Sequence, residues 1–145
     1  MSNRPKVNEL APDAYRALRN VEAYLLSCGL DHSLIELVKM RASQINGCAF
    51  CLNMHSIDAR KGGETEQRLY VLNAWRETKL YTPRERAALA WTEHLTRVST
   101  DGAPDHAYRE LAELFSPKEI ADLTVLIGQI NLWNRIAIGT AMQPS

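Results

Sequence analysis

Hydrophobic residues recur at three- and four-residue intervals along most of this chain, and nowhere do they alternate over a useful length. The first period gives an α-helix one apolar face, whereas a half-buried strand needs a period of two. Tyr15, Leu18, Val21, Leu25 and Cys28 make one such stripe, which predicts a helix over 12–28 closed by Gly29. Leu34, Leu37, Val38, Met40, Ala42 and Ile45 make the next, over 33–45. Ser33 reads as its N-cap, Glu36 falls in its first turn, and Asn46-Gly47 ends it. Helices follow over 49–60, stopped by Gly62-Gly63, and over 64–75, with Leu69, Val71, Leu72 and Trp75 apolar. Thr82-Pro83-Arg84-Glu85 and Ser116-Pro117-Lys118-Glu119 each have the form of a capping box with proline at the first helical position. They open helices over 83–97 and 117–141, and a short helix over 105–114 lies between them. Residues 1–11 read as an extended arm. The last helix is apolar on nearly every side over 123–138, so it belongs at the centre of the bundle or between subunits. The fold class is therefore all-α, a single-domain bundle of about seven helices over 1–145.

Composition narrows the function. With 46% hydrophobic residues in 145, one domain can bury a real core. Seventeen basic and 17 acidic residues cancel, which argues against a nucleic-acid surface and against a polybasic membrane patch. The first residues, MSNRPKVNELAPDAY, lack an apolar core and a small-residue cleavage site, so no secretory signal is expected and the expected location is cytoplasmic. The longest uncharged apolar stretch, 123–134, is too short and too polar to span a bilayer. Three cysteines do not make a disulfide scaffold, and without a secretory signal a C-x-x-C pair is redox-active or metal-binding more often than a permanent staple. Cys28 stands apart and reads as a small buried hydrophobe near a helix end.

Chemistry concentrates in residues 36–55, ELVKMRASQINGCAFCLNMH. Cys48 falls at the start of a helix, where free N–H groups and partial positive charge make a thiol easier to ionise. Cys51 is three positions on, so the two sulfurs come within reach of a disulfide in one helical turn. His55 is four positions beyond Cys51 and points to the same face. An imidazole there can accept the thiol proton, and a carboxylate such as Glu36 could hold it in one tautomer if the two helices cross closely. Two other readings stay open on the residues alone. The cysteines could be two buried small side chains, or Cys48, Cys51, His55 and Glu36 could hold zinc, although three ligands would then crowd one helix turn. His32 reads as a surface residue, and His94 and His106 have no partner at metal spacing. Trp133, Asn134 and Arg135 need partners on so apolar a helix, from a neighbouring subunit or from a thiol pocket.

The pattern Glu36-x11-Cys48-x2-Cys51-x3-His55, with Asn46-Gly47 just before the first cysteine, resembles the signature of the alkyl hydroperoxidase D-like family within the carboxymuconolactone decarboxylase superfamily. The runs from Gly62-Gly63-Glu64 to Trp75-Arg76, from Tyr81-Thr82 to Ala90, and over Ile130-Asn131-Leu132-Trp133-Asn134-Arg135 are similar too, so the likeness covers about residues 15–140. The resemblance implies an obligate homo-oligomer, trimer or hexamer, that reduces peroxides. On the matching positions it implies Cys51 as the peroxidatic thiol, Cys48 as the resolving thiol, and His55 with Glu36 as the proton relay. It implies a thioredoxin-like or lipoyl-bearing protein as reductant, with no cofactor and no metal. One position departs: where the best-known branch has histidine before the second cysteine, this chain has Phe50. The expected function is thus a thiol-dependent peroxidase. The alternatives are a carboxymuconolactone decarboxylase-like acid–base enzyme and a non-catalytic redox-sensing or zinc-binding oligomer.

Overall fold

The computed structural model describes residues 3–145, and among them there is no β-strand. The helices are α1 (Val7–Leu10), α2 (Pro12–Ser27), α3 (His32–Asn46), α4 (Ala49–Lys61), α5 (Glu66–Tyr70), a 3-10 segment (Leu72–Glu77), α6 (Pro83–Thr96), α7 (Val98–Asp101), α8 (Asp105–Leu114) and α9 (Pro117–Gly139). The all-α class stands, but the described residues hold ten helical elements rather than about seven. The excess has local causes. The expected extended arm contains the single turn of α1 (Met1 and Ser2 lie outside the described residues). The helix expected over 64–75 breaks in two, because Val71 and Ala74 leave helical dihedrals. One extra turn, α7, fills part of what reads as loop after α6.

Two cores share α3. Leu34, Ile35 and Val38 face a cluster with Leu25, Trp91, Leu111, Leu123 and Ile127, drawn from α2, α6, α8 and α9. Leu37 and Met40 face a second cluster with Leu69, Leu72, Trp75 and Leu89. A helix with a core on either side has no free polar face, so the charged residues of α3 are enclosed with it. Lys39 pairs with Glu22 at 3.0 Å, and Arg41 with Glu93 at 2.7 Å. Each fully buried leucine of this helix contributes about 1.5–3 kcal/mol. α9 is central, as its apolar character predicts: it packs against α2, α3, α4, α6 and α8. Even so, Val125, Leu132 and Ile138 remain exposed on it. No helix among the described residues is long and apolar enough to cross a membrane.

The caps follow the sequence with one exception. Thr82 and Ser116 both form full capping boxes, with Glu85 and Glu119. The N-cap of α3 is Asp31, whose carboxylate accepts from the Ser33 N–H, so Ser33 is inside the helix and Glu36 lies in its second turn, not its first.

Glu93 is the electrostatic centre of the second core. Its carboxylate accepts from Arg41 Nε and Trp75 Nε1, and from Arg76. Burial pushes its pKa up, but the hydrogen bonds from Arg76, Arg41 and Trp75 win, and the group titrates below its ordinary 4.5. Glu85 behaves the same way: burial raises it, and the Arg68 and Thr82 hydrogen bonds bring it down. Carboxyls that titrate lower in the folded state stabilise it above their unfolded pKa, and that contribution is lost as pH falls through the folded value. Stability should therefore hold above about pH 4.5 and decline below it. Glu93→Gln leaves Arg41 buried without a counter-charge, so it should lower unfolding stability at pH 7 by about 3 kcal/mol. It should also flatten the acid limb, both effects being read from urea midpoints across pH.

Candidate functional site

The corner between α3 and α4 sets the site. Gly47 adopts the left-handed conformation, φ 69° and ψ 38°, which costs glycine little and other residues more. Its N–H and that of Cys48 close back on Gln44 and Ser43 carbonyls. The chain then turns extended at Cys48, which is the N-cap of α4, and Cys48 Sγ accepts the Cys51 N–H at 3.3 Å. The sulfurs of Cys48 and Cys51 are joined as a disulfide. Both residues are enclosed, at 1% and 2% exposure, so what reaches them comes through an opening. One cavity of about 280 Å³ touches Cys48, Phe50, Ala137, Ile138, Met142 and Gln143, and polar and apolar atoms share its wall about equally. Cys51 does not line it. Phe50 thus occupies the wall of a cavity next to the disulfide.

The structure brings Glu36 to His55. Their helices pack together, and Glu36 Oε2 lies 3.3 Å from His55 Nδ1. The two atoms are within ion-pair distance but out of line for a hydrogen bond, and each is shut off from solvent with no other partner among the described residues. His55 is 6% exposed. Asp58 completes a group that sequence reasoning missed: one oxygen or nitrogen from each of Glu36, His55 and Asp58 lies within 4.8 Å of the others. The available signal was spacing, since Asp58 follows His55 by three positions and so shares its face of α4. A second cavity, about 150 Å³, is bordered by Glu36, Asp58, His32, Ser33 and Glu64. With the sulfurs bonded to each other, neither cysteine is a thiolate ligand in the oxidised protein. Cys28 is half-buried and free, with its sulfur against the Leu25 carbonyl.

The polar groups of α9 find partners inside the chain, not in a thiol pocket. Asn134, at 0% exposure, donates to Ser43 Oγ at 3.0 Å and accepts from Asn46 Nδ2 at 2.9 Å. Asn46 also donates to Asn131, and Trp133 donates to Glu22. Arg135 bonds back to Asn131. The pair at Ser43 and Asn46 ties α9 to the last turn before Gly47, which positions Cys48. Asn134→Ala leaves the buried Ser43 hydroxyl without its donor and Asn46 with Asn131 alone. It should cost about 2–3 kcal/mol in unfolding stability, and after reduction Cys48 and Cys51 should be alkylated faster than in wild type, with Cys28 as internal control.

The carboxymuconolactone decarboxylase family model matches residues 12–94, which takes in Glu36, both paired cysteines and His55. YdfG, an uncharacterized protein of Bacillus subtilis (strain 168), is 44% identical over 138 residues, 95% of this chain and 94% of that protein. A solved structure of an Agrobacterium tumefaciens protein of unknown function, described as a candidate antioxidant defence protein AhpD, superposes with a TM-score of 0.95. It is 44% identical and covers 99% of both chains. An uncharacterized peroxidase-related protein of a Silicibacter species matches with a TM-score of 0.79 at 27% identity, over 90% of this chain and 69% of that one. The chain belongs to the carboxymuconolactone decarboxylase family and is an AhpD-like member of that superfamily.

Proposed function

We propose that this chain is a thiol-dependent peroxidase, working as one domain in the cytoplasm. The observation that carries the reading is the Glu36–His55 contact on the same helix face as a C-x-x-C disulfide seated at a helix N-terminus. Similarity to proteins described as antioxidant or peroxidase-related supports it.

The residues divide the work as follows. Glu36 beside Nδ1 favours the proton on that nitrogen and leaves Nε2 as the acceptor. The imidazole takes the Cys51 proton, and the thiolate attacks the near oxygen of the peroxide. The O–O bond breaks, the leaving oxygen takes the proton back as alcohol or water, and Cys51 becomes a sulfenic acid. Cys48 at the N-cap faces the Cys51 N–H, an environment that favours its thiolate. It attacks the sulfenic sulfur, releasing water and forming the Cys48–Cys51 disulfide. A thioredoxin-like or lipoyl-bearing dithiol then restores both thiols by exchange. The cavity beside Cys48 offers an approach to the disulfide for that partner. The exposed Val125, Leu132 and Ile138 of α9 offer apolar surface to a homo-oligomer.

A second reading draws on the family match. The Glu36–His55 pair could serve proton transfer in a carboxy-lyase without thiol chemistry, and such activity would survive replacement of both cysteines by serine.

The deciding experiment counts thiols. Reduced wild type given one equivalent of peroxide should lose Cys48 and Cys51 together and keep Cys28. Cys51→Ser should lose none at that rate, and Glu36→Gln should slow the loss by about 10²-fold or more. A Cys51→Ser protein that consumes thiols as fast as wild type would sink the proposal.

A further inference from the structure

The Glu36–His55 contact leaves polar atoms unsatisfied. His55 is 94% buried by its 6% exposure, yet its Nδ1 has no aligned hydrogen bond, and neither has Glu36 Oε2. Asp58 places a second carboxylate within 4.8 Å of both. Elsewhere the enclosed carboxylates each meet a cation: Glu22 meets Lys39, Glu85 meets Arg68, Glu93 meets Arg41, and Asp122 meets Lys118. Glu36, half-buried, meets no lysine or arginine among the described residues and has only the His55 imidazole beside it, with the exposed carboxylate of Asp58 on the other side. Two carboxylates this close in a partly enclosed place repel each other unless a positive charge joins them.

We propose that Glu36, His55 and Asp58 form a site for a first-row divalent cation, Zn²⁺ above all. One imidazole nitrogen with two carboxylate oxygens is a donor set that suits zinc and its neighbours, whereas Mg²⁺ and Ca²⁺ favour oxygen alone. Tetrahedral zinc with bonds near 2.1 Å sets its donors about 3.4 Å apart. Glu36 and His55 already stand 3.3 Å apart. Asp58 is exposed and free to rotate inward, and it makes no hydrogen bond or ion pair through its side chain among the described residues. The cavity bordered by Glu36 and Asp58 reaches two of the three donors, while His55 lies behind them, outside its lining. A buried His55 nitrogen with no aligned hydrogen bond sets this group apart from an ordinary acidic patch.

Occupancy has a consequence for the neighbouring thiols, and this part rests on the peroxidase reading. A cation on Nδ1 needs its lone pair, so the ring proton moves to Nε2. Nε2 is then no longer an acceptor for the Cys51 proton, and Glu36 is engaged as a ligand. A bound cation and a working relay exclude each other, so the site is a brake on thiol oxidation.

The test starts with untagged, disulfide-bonded protein whose Cys28 is alkylated, so that no thiol can ligate. After treatment with a chelator, calorimetric titration with Zn²⁺ should give one ion per chain, and Co²⁺ should give tetrahedral d–d absorption without a thiolate charge-transfer band. Asp58→Asn should weaken Zn²⁺ binding at least about 10-fold while keeping the wild-type circular dichroism spectrum, and Glu36→Gln should do the same. Absence of binding to wild type, or equal binding to Asp58→Asn, overturns the site whatever the peroxidase assay shows. In the reduced protein, Zn²⁺ should slow peroxide-driven thiol loss in wild type and leave Asp58→Asn at its own metal-free rate. Equal slowing in both would place the inhibitory ion on the cysteines and overturn the brake.

Discussion

Asn134 has no exposed surface, and its amide is satisfied only by Ser43 and Asn46 at the end of α3. A buried primary amide without partners costs several times what a hydrogen bond contributes, so α9 can lie against α3 in one register only. That register fixes the last turn before Gly47, and the left-handed Gly47 fixes how Cys48 leaves it. The N-cap geometry of Cys48, the position of Cys51 one turn on, and the side of α4 that His55 faces all descend from this lock. The disulfide sits at a corner, but a helix ninety residues away in sequence holds the corner in place.

The interior treats charge in two ways. Around the second core, Glu93 draws Arg41, Trp75 and Arg76 onto one carboxylate, and Arg68 spans Glu64, Glu85 and the Leu80 carbonyl. These groups are saturated, and their folded-state pKa values are displaced accordingly. They hold structure and have no capacity left for chemistry. At Glu36 and His55, with the exposed Asp58 beside them, the reverse holds: Glu36 Oε2 and His55 Nδ1 are enclosed and few of their bonding positions are used. Such a place is costly to a fold unless something transient, a proton in flight or a cation, completes it. This contrast, more than the presence of a C-x-x-C, separates the site from the scaffold.

Much of the architecture was legible from the chain alone. Helical periodicity, glycine stops and two capping boxes placed the major helices within a few residues, because each of these signals is local. The break at Ala74 was not legible, since nothing in the apolar stripe from Leu69 to Trp75 announces a change of backbone. The N-cap of α3 was misread because Asp31 and Ser33 are both capping residues two positions apart, and only the backbone decides which one turns extended.

Sequence by itself determined the all-α class and set two thiols within reach of each other across one helical turn, since those depend on neighbours along the chain. It also set His55 and Asp58 on one face of α4, although Asp58 went unread. Only the tertiary structure decided that Glu36 meets His55, because that distance depends on how two helices cross at Gly47, and a crossing is set by packing across the whole bundle. The structure likewise decided which groups of the chain Trp133 and Asn134 bond to, Glu22 for the one and Ser43 with Asn46 for the other. A polar residue shows in sequence that it needs a partner, but which partner reaches it is a property of the fold.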